Sequence, residues 1–379
     1  KETAKDIDIL VVSKNPSKVM DYFVKMPNVK SVVAKGQKKS SVILKEGINC
    51  DLRIVEEKSY GGALAYLTGS KEHNIRMRQI AIKKSMKLSE YGLFDRKNNY
   101  ICGKTEQEIY SKLNLPYIEP EMRENVGELE LKKIPELVRY NSVKGDLHMH
   151  TTWSDGLNST EEMIKEAIKM GYEYIAITDH SKSSHVANGL DEKRLKKHIE
   201  EINLLNKKYS GKINILKGSE VDILADGSLD YSSKILNELD VVIASIHSRF
   251  KGTKEETTKR IVNAINNEHV NIIGHPTGRL INQRNPYDLD LDLVIKEAKK
   301  NNVALEINSY PSRLDLNDIN IRLAVDNDAK MVVNTDSHSI NNLKFIELGI
   351  AQARRGWAES KNIINTMPFD KFMRLIEKG

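Results

Sequence analysis

The chain has 379 residues, of which 39% are hydrophobic and 30% are charged, a size and balance that predict two or three globular domains. No run of 18 residues lacks a charged side chain, and the first residues show no secretory signal pattern, so we expect a cytoplasmic protein without a membrane span. Two cysteines, Cys50 and Cys102, exclude a disulfide framework and a thiolate zinc site, which leaves histidines and carboxylates as metal ligands.

The formal charge of +6 is unevenly distributed along the chain. Residues 1–100 carry 20 Lys and Arg against 11 Asp and Glu, whereas residues 142–379 carry 33 against 34. A basic amino-terminal part is typical of proteins that bind a polyanion such as nucleic acid. A lysine-rich solubilising surface explains the same charge, so the charge alone leaves both interpretations open.

The first part of the chain predicts a small β-sheet followed by a helix. Short runs rich in Val and Ile predict strands at residues 7–13, 29–34, 41–45 and 51–55, and residues 71–90 have a helical pattern. The first residue is not Met and a strand begins almost at once, so we expect a fragment of a longer chain. The proline-containing, acidic stretch at 116–141 predicts a linker or strap between domains.

From residue 145 onward, strands and helices alternate in about seven units. The strands are LHMH, YIAITDH, INILKGSEV, VVIASIH, NIIGHP, ALEINS and MVVNTDSH. The helical stretches between them are 159–170, 191–206, 231–238, 253–267, 288–301 and 315–328. This alternation predicts an α/β barrel with a parallel sheet, because right-handed crossovers join successive parallel strands.

Six histidines and three acids recur where these strands end. They are His148, His150, Asp155, His180, Glu220, His247, His275, Asp336 and His338. Barrel enzymes collect their catalytic groups at this edge, and alternate residues of a strand face the same side, so pairs such as His148 and His150 can chelate one ion. Nine ligands suit two or three divalent ions better than one tetrahedral zinc, with Glu220 as the expected bridge.

Three arginines follow strand ends and are candidate phosphate contacts, because the guanidinium fork matches phosphate oxygens. They are Arg249, Arg279 and Arg284, for which an ordinary solvent-facing position is the alternative. The other histidines, His73, His185, His198 and His269, lie outside the metal motifs and we expect them to have no such role.

The motifs GDLHMHTTWSDG, YIAITDH, GSEVDI, SIHS, GHPTGRL and NTDSH resemble those of the PHP (polymerase and histidinol phosphatase) superfamily over residues 142–379. The resemblance implies a distorted (β/α)7 barrel, and all nine positions of that family's trinuclear metal site are filled here. It implies phosphoester hydrolysis with three ions of zinc or manganese, or iron. An amidohydrolase barrel also begins with H-x-H, but it needs a bridging lysine or equivalent where this chain has Glu220.

The front of the chain resembles a second family. KETAKDIDIL is similar to the palm strand that carries the first two catalytic aspartates of family X DNA polymerases, and GGALAYLTGSKEHNIRMRQIAIKKSMKLSEYGLF is similar to their palm-to-thumb junction. By this resemblance Asp6, Asp8 and Asp51 form the nucleotidyl-transfer triad, which uses Mg²⁺ or Mn²⁺.

The same resemblance assigns a nucleotide and DNA pocket to Tyr66, Gly69, Asn74 and Arg78. Leu67 departs from the family pattern, which usually has an aromatic residue beside the tyrosine. The triphosphate-binding turn, the fingers and the DNA-end-binding domain of the family would precede Lys1, so we expect the chain as given not to polymerise nucleotides.

These resemblances predict four segments. They are a partial palm at 1–58, a helical thumb at 59–123, a linker at 124–141 and a PHP metallo-phosphoesterase domain at 142–379. The predicted function is metal-dependent phosphoester hydrolysis at DNA 3′ ends in DNA repair, as 3′→5′ exonuclease, with abasic-site endonuclease and 3′-phosphatase activities also implied. The expected partners are gapped or recessed DNA and, for an intact polymerase, deoxynucleotides. The alternatives are a small-molecule phosphatase of the histidinol-phosphatase type and a metal-braced DNA-binding module without catalysis.

Overall fold

A computed structural model describes residues 2–376, which fold as two compact units that divide between Ile134 and Pro135. Among the described residues, no helix is both long and apolar enough to cross a membrane.

The first unit begins with a four-stranded sheet. Its strands are β1 (Asp6–Val12), β2 (Val29–Lys35), β3 (Lys39–Leu44) and β4 (Asn49–Val55), in the order β1-β4-β3-β2. Strands β1 and β4 are parallel, whereas β3 is antiparallel to both of its neighbours. Helix α1 (Pro16–Val24) covers one face with Met20 and Phe23, which pack on Val42 and Leu52.

Helix α1 was not predicted from the sequence, although its start signal is present. The side chain of Asn15 accepts a hydrogen bond from the Lys18 backbone N–H, and Pro16 occupies the first turn. Asn at the N-cap followed by Pro is a favoured helix beginning, because the cap satisfies a free N–H and proline needs none.

The rest of the first unit combines helices with a second sheet. The helices are α2 (Tyr60–Thr68), α3 (Lys71–Lys83) and α4 (Glu106–Lys112). Between α3 and α4 lies an antiparallel sheet of β5 (Met86–Ser89), β6 (Gly92–Asp95) and β7 (Tyr100–Cys102). The predicted helix at 71–90 is therefore wrong beyond residue 83, because Ser85 takes a positive φ and β5 follows. The segment predicted as a helical thumb is helical only in part.

Two glycines explain how closely α2 packs in this unit. A Cβ on Gly61 would lie 2.2 Å from the Thr105 backbone, and one on Gly62 would lie 2.7 Å from the Gly92 backbone. Any side chain at either position would push α2 away from these segments, so the sequence Gly61-Gly62 is required by the packing.

The predicted linker at 124–141 is divided between the two units. In the first unit the buried Glu128 carboxylate contacts His73 Nδ1 at 2.6 Å, and His73 Nε2 lies 2.8 Å from the Tyr110 hydroxyl. In the second unit the Val138 backbone N–H donates to the Ala358 carbonyl. The division between the units thus falls inside the predicted linker.

The second unit is a nearly closed barrel of seven parallel strands, as the sequence predicted. The strands are β8 (Gly145–Asp146), β9 (Tyr174–Ile177), β10 (Asn214–Asp222), β11 (Val241–Ser245), β12 (Ile272–Ile273), β13 (Ala304–Asn308) and β14 (Met331–Asn334). They are hydrogen-bonded in chain order from β8 to β14. A parallel bridge between Met149 and Ser337, just beyond the first and last strands, brings the two edges together.

Helices surround this barrel. They are α5 (Thr160–Lys169), α6 (Glu192–Lys208), α7 (Ser233–Leu236), α8 (Lys254–Ile265), α9 (Leu291–Lys300), α10 (Asp318–Asp326), α11 (Ile346–Arg355) and α12 (Phe369–Ile376). The six predicted helices in this region are confirmed, with ends that differ by a few residues. Capping boxes such as Ser159 with Glu162 mark the helix starts, because each satisfies two free N–H groups.

The amino-terminal end of the barrel is filled with apolar side chains. Phe372 and Ile376 of α12 belong to one buried cluster with Tyr174 and Val241. Tyr174 is the first residue of β9, and Val241 is the first residue of β11. The ring of Phe372 stacks on Tyr174 with centroids 4.8 Å apart. Burying one such aromatic side chain contributes about 2 to 3 kcal/mol. The polar groups of the barrel are therefore concentrated at the carboxyl-terminal end.

Candidate metal centre

The carboxyl ends of the barrel strands bring the nine predicted ligands to one mouth. His148 and His150 follow β8, His180 follows β9, and Glu220 lies within β10. His247 and His275 follow β11 and β12, Asp336 and His338 follow β14, and Asp155 comes from the loop after His150. Because all seven strands are parallel, every carboxyl end points to the same side of the barrel.

Glu220 lies at the centre of this arrangement and is almost fully buried. Five histidine nitrogens surround its carboxylate, from His275 Nε2 at 2.9 Å to His150 Nε2 at 3.6 Å. The other three are His180 Nδ1 at 3.0 Å, His247 Nε2 at 3.2 Å and His148 Nε2 at 3.4 Å. This geometry agrees with a bridging role for Glu220.

The ligand atoms form three overlapping groups, in each of which they lie within 4.8 Å of one another. The groups are His150, Asp155, His180 and His338; His148, His150 and Asp336; and His180, Glu220 and His247. His275 joins them through its contact with Glu220. Sharing of His150 and His180 between groups is the pattern expected of adjacent ions with common ligands.

Several buried nitrogens and oxygens at this mouth have no hydrogen-bond partner in residues 2–376. They are His148 Nε2, both ring nitrogens of His150, His180 Nδ1, Glu220 Oε2 and His275 Nδ1. Buried polar atoms without partners are costly, at about 1 to 3 kcal/mol each. A donor set of imidazole and carboxylate is suited to zinc, manganese or iron, so the residues present fit divalent metal ions.

The charges at the mouth are strongly coupled. Burial by itself would lower the pKa of His247, but the carboxylates of Glu220 and Asp222 raise it to about 10. Burial together with the neighbouring His338 and His180 lowers the pKa of His150 to about 4. The pKa of Asp155 falls to about 2, against the effect of burial, through a hydrogen bond with His338 and the nearby histidines. A bound cation would take the place of the additional proton on His247, whereas His150 is neutral at pH 7 and ready to bind a metal ion.

Sequence reasoning missed a second row of residues behind the ligands. Glu306 on β13 is fully buried, and its carboxylate contacts His148 Nδ1 at 2.7 Å and accepts from the His275 backbone N–H at 2.7 Å. Asp222 on β10 contacts His247 Nδ1 at 2.8 Å. Carboxylates in this position set the tautomer and orientation of a ligating histidine. A glutamate within the apolar run ALEINS was the available signal for Glu306, because a buried carboxylate needs a partner.

The three predicted phosphate-binding arginines lie in different surroundings. Arg249 is exposed, and Arg284 stacks on the Phe250 ring at 3.8 Å while donating to the Gly278 carbonyl. Arg279 is largely buried and donates to the Leu314 carbonyl. A fourth arginine, Arg313, was not singled out from the sequence, and its Nε lies 3.3 Å from Asp336 Oδ2.

The carboxylates of the first unit are arranged more loosely. Asp8 and Asp51 occupy paired positions of the parallel strands β1 and β4, and Asp6 lies two residues before Asp8. Burial, Asp51 and Asp6 all raise the pKa of Asp8. Asp51 also pairs with Lys39 Nζ at 2.5 Å. The groups of three or more metal-type ligands found within residues 2–376 all lie in the barrel.

The residues assigned to a nucleotide pocket lie along α2 and α3. Asn74 Nδ2 donates to the Tyr66 carbonyl at 2.9 Å, and the Arg78 guanidinium lies 5.6 Å from the Tyr66 ring centroid. Gly69 ends α2 with a φ of 73°, a conformation that favours glycine. The structure thus brings Tyr66, Asn74 and Arg78 together, with Gly69 at the turn between the two helices.

Comparison with known proteins agrees with both parts of this description. Residues 63–124 match the DNA polymerase beta thumb family, and residues 146–310 match the PHP domain family. The chain is 45% identical over 369 residues to a DNA polymerase/3′-5′ exonuclease PolX from Bacillus subtilis, covering 96% of this chain and 65% of that protein. The chain belongs to the PHP superfamily, and it also carries a segment that matches the DNA polymerase beta thumb.

Other relatives and solved structures match a smaller part of the chain. A probable phosphatase of Clostridium novyi is 30% identical over 209 residues, which are 51% of this chain and 78% of that protein. Among solved structures, histidinol phosphate phosphatase from Lactococcus lactis, complexed with zinc, L-histidinol and phosphate, is 23% identical with a TM-score of 0.44, covering 57% of this chain and 95% of that chain. A structure of Leishmania infantum polymerase beta is 25% identical with a TM-score of 0.28. The match covers 32% of this chain and 62% of the polymerase beta chain.

The two family matches divide the candidate site residues unequally. The thumb match includes all four residues assigned to the nucleotide pocket, from Tyr66 to Arg78. The PHP match includes seven of the nine candidate metal ligands, and Asp336 and His338 lie beyond its end at residue 310. The last strand nevertheless places both residues at the mouth with the other seven, because β14 closes the barrel beside β8.

Proposed function

We propose that the barrel is a metal-dependent phosphodiesterase that removes nucleotides from DNA 3′ ends. The observation that carries this proposal is the convergence of nine histidine and carboxylate side chains at one mouth, where several buried nitrogen and oxygen atoms make no hydrogen bond within residues 2–376. The likeness to a polymerase/exonuclease of Bacillus subtilis over 96% of the chain supports DNA as the substrate. The chain spans 65% of the length of that relative.

In this proposal the palm occupies residues 1–58, the thumb 59–123, the linker 124–141 and the PHP domain 142–379. The palm triad of Asp6, Asp8 and Asp51 would hold Mg²⁺ or Mn²⁺ for nucleotidyl transfer in an intact polymerase. The nucleotide pocket at Tyr66, Gly69, Asn74 and Arg78 would contact deoxynucleotides and DNA. The barrel would act on gapped or recessed 3′ ends, and we expect this activity in the cytoplasm.

The nine ligands would hold three ions of zinc or manganese, or iron. Divalent ions at such a site activate water and stabilise the charge on the phosphate oxygens during in-line displacement. Glu220 orients five histidine rings around one point, and Glu306 and Asp222 hold His148 and His247 from behind. These contacts fix the rings before an ion arrives, which reduces the loss of conformational freedom on binding.

Positive side chains near the mouth would bind the substrate phosphate. Arg313 Nη1 is buried without a hydrogen-bond partner among the described residues, while Nε of the same side chain faces Asp336. A guanidinium held in this way has a free donor for a phosphate oxygen. Arg249, Arg279 and Arg284 remain predicted phosphate contacts, of which Arg249 is the most exposed.

A phosphatase acting on small phosphate esters is the second candidate function. Its support is the similarity of part of the chain to probable phosphatases, including one from Clostridium acetobutylicum that is 37% identical over 171 residues. Such an enzyme would cleave histidinol phosphate or a mononucleotide faster than DNA. The polymerase-type thumb in the same chain favours the DNA substrate.

The test uses the full chain with Mn²⁺ and a 5′-labelled primer whose 3′ end is recessed. We expect a ladder that shortens from the 3′ end and disappears with a chelator or with the double variant His148→Ala/His150→Ala. The matched control is His269→Ala, which removes a histidine outside the mouth and should leave the ladder unchanged. Cleavage that survives the double variant would overturn the proposal, whereas faster hydrolysis of histidinol phosphate than of DNA would favour the second function.

A further inference from the structure

The loop that carries Asp155 is held by a carboxylate that does not face the mouth. Asp179 accepts hydrogen bonds from the backbone N–H and hydroxyl of Thr151, at 2.8 and 2.7 Å, and from the Ser154 hydroxyl at 2.6 Å. Thr151 and Ser154 lie between the ligands His150 and Asp155 in the chain. Asp179 therefore sets the course of the backbone from one ligand to the next.

One face of helix α6 holds the middle of this loop. Arg194, His198 and Glu201 are spaced at i, i+4 and i+7, which places them on the same side of the helix. Arg194 donates to the Trp153 carbonyl, the His198 ring stacks on the Trp153 ring with centroids 5.0 Å apart, and the Trp153 indole N–H donates to Glu201. All three side chains thus contact a single residue of the loop.

His198 connects the helix to Asp179. It is fully buried, its Nε2 lies 3.5 Å from Asp179 Oδ2, and neither ring nitrogen has a hydrogen-bond partner within residues 2–376. Burial lowers the pKa of His198, so the ring is neutral at pH 7. A neutral ring in this place fills the space between Trp153 and Asp179. The assignment of no special role to His198 therefore overlooked a packing position next to the metal centre.

We propose that Trp153 and this face of α6 form a clamp that positions Asp155 and so controls binding of one of the three metal ions. The ion concerned is the one held by His150, Asp155, His180 and His338, since Asp155 is the ligand contributed by the clamped loop. This inference rests on the proposed metal-binding function. The other two groups use Asp336, Glu220 and their histidines, which the strands hold without this loop.

The clamp has a matched control, because the chain contains two tryptophans. Trp357 is buried, and it stacks with the guanidinium of Arg322 at 3.7 Å, as Trp153 stacks with the ring of His198. Trp357 lies in the turn after α11 and contributes to none of the three ligand groups. Loss of Trp357 should reduce stability without changing the number of ions bound.

The experiment measures Mn²⁺ binding to the full chain by equilibrium dialysis, with the metal content read by mass spectrometry. We expect three ions in the wild-type chain and in Trp357→Leu. In Trp153→Leu we expect one class of sites to weaken by about 10- to 100-fold while the other two keep their affinity. Binding of all three classes with wild-type affinity by a folded Trp153→Leu variant would overturn the clamp, as would an equal loss in every class.

Milder variants keep the test decisive if Trp153→Leu does not fold. Glu201→Ala removes the acceptor of the indole N–H and should weaken the same single class, and Glu201→Gln, which keeps an acceptor, should restore it. In a Trp357→Phe background, Trp153 is the one tryptophan left, so its fluorescence should change as that class fills. Trp153 fluorescence that stays constant as Mn²⁺ binds would overturn the clamp. A wild-type chain that binds no ion would instead overturn the metal centre itself.

Discussion

In the proposed function both units use carboxylates to hold divalent ions, but these carboxylates are arranged in opposite ways. In the first unit Asp6, Asp8 and Asp51 lie along adjacent strands of an open sheet, and Asp51 is paired with Lys39. At the carboxyl end of the barrel, carboxylates lie among histidines, and Glu220 is almost completely buried. The first arrangement has oxygen ligands alone, whereas the second combines nitrogen and oxygen.

The difference shows how ligand type and burial are connected. Exposed carboxylates repel one another, which is one reason the pKa of Asp8 is raised, and a lysine can neutralise them until an ion arrives. Buried carboxylates need positive partners at all times, and histidines supply them here. Oxygen ligands suit Mg²⁺, whereas imidazole nitrogens favour zinc and related ions. The two sites should therefore respond differently to the same kind of substitution.

The largest expected effect separates the two carboxylate sites. Glu220→Gln removes the negative charge shared by five histidines, so we expect loss of bound metal from the barrel and a fall in 3′-end cleavage of about 10³-fold or more. Asp51→Asn should leave the metal content of the barrel unchanged. Metal analysis after gel filtration and the primer assay measure both results.

Glu268→Gln is the matched control for this prediction, because Glu268 is an exposed glutamate of the same unit. It should behave as the wild-type chain in both assays. Full metal content in Glu220→Gln would contradict the central position that the geometry gives to this residue.

An intermediate effect is expected from the residues behind the ligands. Glu306→Gln keeps the shape of the side chain but removes the charge that orients His148, so we expect metal affinity to fall by about 10- to 100-fold. Competition with a coloured chelator measures this affinity. Glu297→Gln on α9 is the control, since it changes a glutamate of the barrel that faces away from the ligands. Equal metal affinities of the wild type and Glu306→Gln would contradict the role of Glu306 in orienting His148.

The smallest effect concerns the pH dependence of stability. Burial raises the pKa of Asp315 to about 6, although hydrogen bonds from Thr277 and the charges of Arg279 and Arg313 act in the other direction. A carboxyl group with a raised pKa stabilises the folded state at low pH, and this contribution is lost as the pH rises through about 6. For this group alone, the barrel should lose about 1 kcal/mol between pH 5 and pH 7.

Asp315→Asn should remove this loss of stability between pH 5 and pH 7. The measurement is the melting temperature at both pH values with chelator present, and its change with pH should differ from that of the wild type by about 2 to 4 °C. Glu128 in the first unit should make stability change with pH in the opposite direction. Burial raises its pKa, but the contact with His73 and backbone N–H groups lowers it below the ordinary value. Its stabilising contribution is present above pH 4.5 and is lost as the pH falls through the lowered value. For Asp315, the same change of melting temperature with pH in Asp315→Asn and in the wild type would contradict the argument that burial raises the pKa of this group.

Much of the barrel could be predicted because its signals are local. The alternation of short apolar runs with helical stretches follows the chain order of the sheet, and each ligand motif sits at a strand end. The error at residues 84–90 arose where a helical pattern continues past Ser85, whose positive φ ends the helix. Glu306 and His198 were missed because their importance depends on partners that are distant in the chain, at His148 and at Trp153.

The amino-acid sequence was enough to predict the parallel barrel, the histidines and acids at its carboxyl end, and the resemblance of the front segment to a polymerase palm and thumb. These properties depend on strand and helix periodicity and on motifs only a few residues long. The tertiary structure alone decided that Glu220 lies among five histidines, that Glu306 supports two ligand segments, and that α6 holds the Asp155 loop. Such contacts join residues that are many positions apart, and their distances are set by how the barrel closes and packs its helices.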